Sequence, residues 1–86
     1  MKYVWHEDAW DDYLWWQAND KVMLRRINRL IKEIARDPDG GIGKPEILRE
    51  NLSGWLSRRI NGEHRLVYRV RDDALEIVQC RYHYSK

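Results

Sequence analysis

Residues 55–83 read W-L-S-R-R-I (55–60), N-G-E (61–63), H-R-L-V-Y-R-V (64–70), R-D-D (71–73) and A-L-E-I-V-Q-C-R-Y-H (74–83). Three short runs rich in β-branched and aromatic residues alternate with turn-forming residues. That pattern predicts a three-stranded antiparallel meander. One register stays open. If the first loop is the three residues N-G-E, Arg65 lies across from Arg59; a two-residue N-G loop would place it across from Arg58. Arg58 and Arg59 are neighbours on one run, so they face opposite sides and at most one points at a given site.

Upstream of the meander, D-P-D-G-G-I-G-K-P (37–45) is dense in Gly and Pro and marks a change of pattern. Before it, K-V-M-L-R-R-I-N-R-L-I-K-E-I-A-R carries Met23, Ile27, Leu30, Ile31 and Ile34 at helical spacing. Asn19 and Asp20 offer N-caps for that helix. Arg25, Arg29, Lys32 and Arg36 form a separate basic stripe, a pattern usual for a solvated face. An earlier helix, E-D-A-W-D-D-Y-L-W-W-Q, places Ala9, Trp10, Tyr13, Leu14 and Trp16 on an apolar stripe. Glu7 and Asp8 suit its dipole. K-Y-V-W (2–5) reads as an opening strand. The order is strand, two helices, then strands. The expected class is α+β: an N-terminal strand and two helices packed on a mainly antiparallel sheet, as one domain over 1–86.

Eighty-six residues bury only about 60–65% of the unfolded surface, so the core is small. Five Trp and five Tyr, with no Phe, supply its large rings. Residues 1–43 hold seven Lys/Arg against eight Asp/Glu, and residues 44–86 nine against six. The basic second half suits phosphate or nucleic acid, and equally an ordinary charged sheet face. Cys80 is the single cysteine, which excludes an intrachain disulfide and points to a reducing, cytoplasmic setting. No run approaches a membrane span.

Several chemistries fail on their residues. G-I-G-K (41–44) lacks the earlier glycine of a phosphate loop, where Pro38 stands, and has Pro45 where a Ser or Thr must hold magnesium. Cys80, His83 and His64 do not converge as metal ligands, so no metal and no cofactor are expected. Ser53 and Ser57 lack a nucleophile elbow.

Glu46, the arginines of the meander, His83 and Tyr84 remain. A metal-free ribonuclease needs a base to take the ribose 2′-OH proton, an acid to protonate the departing 5′-oxygen, and cations to hold the charge that builds on phosphorus. Glu, His and Arg suit these tasks, and Tyr can stack on a base or position the acid.

The chain resembles the YoeB branch of the RelE-like toxins in W-D-D-Y-L-W-W-Q (10–17), G-K-P-E (43–46), N-L-S-G-W-L-S-R-R-I (51–60), E-H-R-L-V-Y (63–68) and C-R-Y-H-Y (80–84). The resemblance implies a RelE-like, microbial-RNase-type fold and a ribosome-dependent messenger RNA endonuclease that cuts the A-site codon. It implies Glu46 as general base, Arg65 as phosphate stabiliser with Arg59 assisting, His83 as general acid and Tyr84 as an orienting group. Lys44 and Arg49 join Arg59 as candidate phosphate contacts, although Arg49 stands where the branch has lysine. Ser85 and Lys86 follow the tyrosine that closes the pattern. The implied partners are a YefM-type antitoxin, the 70S ribosome with its mRNA, a second copy in a homodimer, and operator DNA only through the antitoxin. The basic stripe at Arg25, Arg29, Lys32 and Arg36 becomes a candidate ribosome contact. A translation blocker that binds without cutting is the competing class.

Overall fold

A computed structural model describes residues 1–83; the expectations placed on Tyr84, Ser85 and Lys86 lie outside the described residues. The chain forms β1 (Lys2–Trp5), α1 (Glu7–Asn19), α2 (Lys21–Arg36), β2 (Glu46–Ile47), a 3₁₀ turn (Glu50–Leu52), β3 (Leu56–Arg59), β4 (Arg65–Arg71) and β5 (Ala74–Gln79). The five strands make one sheet in the order β1-β5-β4-β3-β2. Among the described residues only the β1–β5 pair is parallel, with Lys2 opposite Ala74 and Trp5 opposite Ile77. The expected α+β class with a mainly antiparallel sheet is what the chain adopts.

The open register is resolved in favour of the three-residue loop. Arg59 pairs with Arg65, and Ile60 N–H donates to His64 O at 3.0 Å to close the hairpin around Asn61, Gly62 and Glu63. The Asn61 side chain accepts from the backbone N–H of Glu63 and of His64, at 2.8 and 2.7 Å, so the loop carries its own internal support. The β4–β5 hairpin turns at Asp72 and Asp73, both in left-handed backbone at φ 52° and 57°. Two consecutive positive φ values match the twist of the flanking strands.

The helices cover one sheet face. Ile27, Leu30, Ile31 and Ile34 of α2 meet Ile60, Leu66, Tyr68, Leu75 and Ile77 in a single buried cluster that includes Ala9, Trp16 and Cys80. Asp20 is the N-cap of α2, its carboxylate accepting from Val22 N–H and Met23 N–H at 3.1 Å each. Such a cap contributes about 1 kcal/mol. The stripe expected on α1 is only partly inward. Trp10 and Leu14 are 44% and 41% exposed. Helix α1 instead seats Ala9 and Trp16, while Trp10 packs sideways against the rings of Trp5 and Tyr13.

Two boundaries differ from the sequence reading. Strand β2 is an additional two-residue edge strand, and its shortness hides it from periodicity. Strand β5 ends at Gln79 rather than continuing to residue 83. Tyr68 pairs with Ile77 but Val67 with Gln79, so Val78 is an extra residue in β5. This bulge resets the alternation. It lets Ile77 and Cys80, three residues apart, both enter the core. Among the described residues no helix is long and apolar enough to cross a membrane.

Candidate active site

On the sheet face away from the helices, each candidate is placed by its strand. Glu46 pairs with Ser57, Ser57 with Val67, and Val67 with Gln79, which makes one row across four strands. Paired side chains share a face, so Glu46 projects with this row. Arg59 and Arg65 form the next same-face pair along β3 and β4. Neighbouring strands are about 4.8 Å apart and same-face residues roughly 7 Å apart along a strand, so Glu46 and the two arginines share one patch.

The loop that delivers Glu46 is organised by Arg58. Its side chain is fully buried on the helix side. Nε donates to Tyr68 Oη at 2.9 Å, Nη1 to Ile42 O at 3.0 Å, and Nη2 to Asp37 O and Pro38 O at 2.8 and 3.1 Å. Tyr68 Oη donates in turn to Pro38 O at 2.9 Å, and burial pushes its phenol pKa up. One guanidinium thus replaces the water that three loop carbonyls would need. Gly43 completes the approach. At φ +90°, an added Cβ would come within 3.0 Å of Arg58 Cβ and 2.9 Å of Leu30 Cδ2. Its carbonyl accepts from Arg59 N–H at 2.8 Å. G-K-P-E is therefore a packed segment that sets Glu46 beside β3. Lys44 and Arg49 flank it, both exposed, with Lys44 in left-handed backbone at φ 53°.

Arg59 is exposed, whereas Arg65 is 7% exposed. Arg65 Nη1 donates to Asn61 O at 2.9 Å and His64 O at 3.1 Å, which fixes its guanidinium over the hairpin loop.

Beyond β5 the chain makes a hook. Helix α1 holds both backbone groups of Cys80: Asp12 Oδ2 accepts from its N–H at 3.0 Å, and Trp16 Nε1 donates to its carbonyl at 2.8 Å. Burial pushes the Asp12 carboxyl pKa up, the Cys80 N–H and Arg81 partly offsetting it. Arg65 N–H then donates to Tyr82 O at 2.9 Å, bringing the residue before His83 against the backbone of Arg65. His83 is exposed and borders a depression with Asp8, Asp11 and Asp12 of α1, Gln79 and Arg81. Arg81 lies over the rings of Trp15 and Tyr82, at 3.6 and 4.6 Å from their centroids.

The same face holds a network that the sequence reading missed. Glu76 accepts from Arg71 Nε at 2.7 Å and Arg69 Nη2 at 3.1 Å, and lies 3.3 Å from His6 Nε2. The hydrogen bonds from Arg71, then Arg69, hold its pKa down at about 2. Arg69 also stacks 4.2 Å from the centroid of Trp55. The charges of Arg69 and Arg71 are thus engaged by Glu76, and the uncompensated positive charge of this half is smaller than its arginine count. The alternation of Arg69 and Arg71 on β4 with Glu76 on β5 was the available signal. On α2, Arg25, Arg29 and Lys32 are exposed as a stripe, but Arg36 is tied to Glu33 at 2.7 Å. Among the described residues no three His, Cys, Asp or Glu side chains group as a metal site would require.

Residues 5–84 match the family model for a YoeB-like toxin of a bacterial type II toxin–antitoxin system. The molecule is therefore the toxin component of such a pair. Toxin YoeB of Synechocystis sp. is 62% identical over the whole of both chains. Toxin YoeB of Escherichia coli is 60% identical over 98% of this chain and 100% of its own. Among solved structures, a YoeB/ParE toxin from Agrobacterium tumefaciens superposes with a TM-score of 0.95 at 50% identity, covering 98% of this chain and 100% of that one. The toxin in a heterotetrameric YoeB–YefM complex from Staphylococcus aureus gives 0.91 at 49% identity, covering 98% of each chain. A YoeB dimer from that organism also gives 0.91 at 49% identity, again over 98% of each. The chain belongs to the YoeB toxin family.

Proposed function

We propose that this chain, as a single toxin domain over residues 1–86, is a ribosome-dependent endoribonuclease that cuts messenger RNA in the A site without a metal. The observation that carries the reading is the patch of Glu46, Arg59 and Arg65, with the β5 hook bringing His83 one residue past the backbone of Arg65. Glu46 takes the proton from the ribose 2′-OH and that oxygen attacks the adjacent phosphorus. Arg65, preset by the two loop carbonyls, and Arg59 hold the added negative charge. The bond to the 5′-oxygen breaks and His83 supplies its proton. The products are a 2′,3′-cyclic phosphate and a 5′-OH. Tyr84 is assigned the orienting role, and Lys44 and Arg49 phosphate contacts beside Glu46.

The exposed Arg25, Arg29 and Lys32 are proposed to face ribosomal RNA, with Arg36 contributing less because Glu33 neutralises it. Ribosome binding should then weaken steeply with salt. By analogy with the staphylococcal complex and dimer, a YefM-type antitoxin and a second copy of the chain are the proposed protein partners. Operator DNA is reached through the antitoxin, and the site of action is the cytoplasm.

Primer extension on a defined messenger in programmed ribosomes tests the reading. Wild type should create a new 5′-end inside the A-site codon, and His83→Ala should do so about 10²- to 10⁴-fold more slowly, while both sediment with ribosomes. Stalled ribosomes carrying intact messenger with both proteins would make this a translation blocker.

A further inference from the structure

We propose that His64 is a positioning residue for His83, acting through the backbone of Tyr82; the proposal rests on the reading of His83 as the general acid. Tyr82 sits in left-handed backbone at φ 61°, a conformation that is unfavourable for a non-glycine residue and needs outside support. That support comes from adjacent residues at the start of β4. His64 Nδ1 accepts from Tyr82 N–H at 2.7 Å, and Arg65 N–H donates to Tyr82 O at 2.9 Å. Tyr82 is thereby gripped at both backbone groups, and the direction in which the chain enters His83 is set.

The His64 ring is built for this task. It is 9% exposed, with the edge-to-face ring of Trp16 centred 4.8 Å away and the Tyr82 ring 5.6 Å away. Accepting at Nδ1 requires the lone pair there and the proton on Nε2, which lies 3.4 Å from Glu63 Oε1. The His64 carbonyl meanwhile accepts from the Arg65 guanidinium at 3.1 Å. One residue therefore fixes both the phosphate-directed arginine and the path to the acid. Gln79 closes the hook from the opposite end, Nε2 donating to the carbonyls of Arg81, Tyr82 and His83 at 2.9, 3.2 and 2.8 Å.

The test measures single-turnover cleavage on programmed ribosomes for His64→Leu and His64→Asn, each alone and with His83→Ala, alongside circular dichroism melts. His64→Leu removes the acceptor. It should slow cleavage at saturating ribosomes by about 10- to 100-fold, while the half-saturating concentration changes less than about twofold. His64→Asn places an amide oxygen near the former Nδ1 and should restore most of the rate. In the His83→Ala background, His64→Leu should cause no further loss. A folded His64→Leu protein that cleaves at the wild-type rate overturns the proposal. So does an equal loss from Leu and Asn, or a full additional loss on top of His83→Ala. If His64→Leu does not fold, His64→Phe, which keeps a ring against Trp16 but has no acceptor, takes its place, and the same absence of further loss with His83→Ala is required. If His83→Ala alone cleaves normally, the assignment of the acid fails first, and that arm reports it separately.

Discussion

Arg58 and Arg59 are consecutive residues of β3, yet they belong to different regions of the molecule. Under the helices, Arg58 is fully buried and gives its donors to three loop carbonyls and one phenol. On the far face Arg59 is exposed, paired with Arg65 and on the same patch as Glu46. Chemistry is identical in the two cases; the pleat alone decides which arginine is structural and which can meet phosphate. Arg58 spends its charge on backbone carbonyls, and Arg59 keeps its charge at the surface. In this fold an arginine count is thus a poor guide to phosphate affinity.

The sharpest way to break this contrast is to exchange the consequences of the two faces. Glu46→Ala, on the open face, should cut ribosome-dependent cleavage by about 10²- to 10⁴-fold, while the midpoint of chemical denaturation moves little. Arg58→Met should do the reverse in kind. It removes the guanidinium from the carbonyls of Asp37, Pro38 and Ile42, Pro38 O keeping only Tyr68 Oη, and should lower unfolding free energy by about 3 kcal/mol, read by urea titration. Arg59→Ala should change stability by less than about 0.5 kcal/mol in the same titration, with its effect confined to cleavage.

Acid sharpens the comparison further. Glu76 has a folded pKa of about 2 against an ordinary value of 4.5, so its ion pairs contribute stability above pH 4.5 that is lost as pH falls toward 2. Glu76→Gln should flatten that limb in melting temperatures recorded across the acid range. Wild type and variant with parallel acid limbs would remove Glu76 from the account. The smallest expected effect concerns Cys80, whose pKa burial pushes strongly upward. Native protein should resist iodoacetamide at pH 8, and labelling should appear only with denaturant.

What was legible in the chain follows from the same physics. The α2 stripe, the Asp20 cap, the meander and its turns depend on local pattern, and each is present. The position of Arg65 opposite Arg59 depends on loop length, for which sequence offered two solutions. The edge strand at Glu46–Ile47 is too short to have a period. The hook at residues 80–82 is assembled by Asp12, Trp16, His64 and Arg65, residues far apart in the chain, so no local rule could announce it. His64 suggests a metal ligand from sequence alone, whereas its ring accepts a hydrogen bond from the backbone N–H of Tyr82. Trp10 and Leu14 fit a helical stripe but lie beyond the area that the sheet can cover.

The parallel pairing of β1 with β5 has a bearing on biosynthesis. Residues 2–5 are among the first to be joined, yet their partners are residues 74–77. At about 5–20 residues per second, the opening strand waits several seconds for the strand it must lie against. Until β5 emerges, Cys80 cannot dock on α1 and the hook toward His83 does not exist. The parts of the sheet that meet around β5 are therefore assembled last, although one of them is made first.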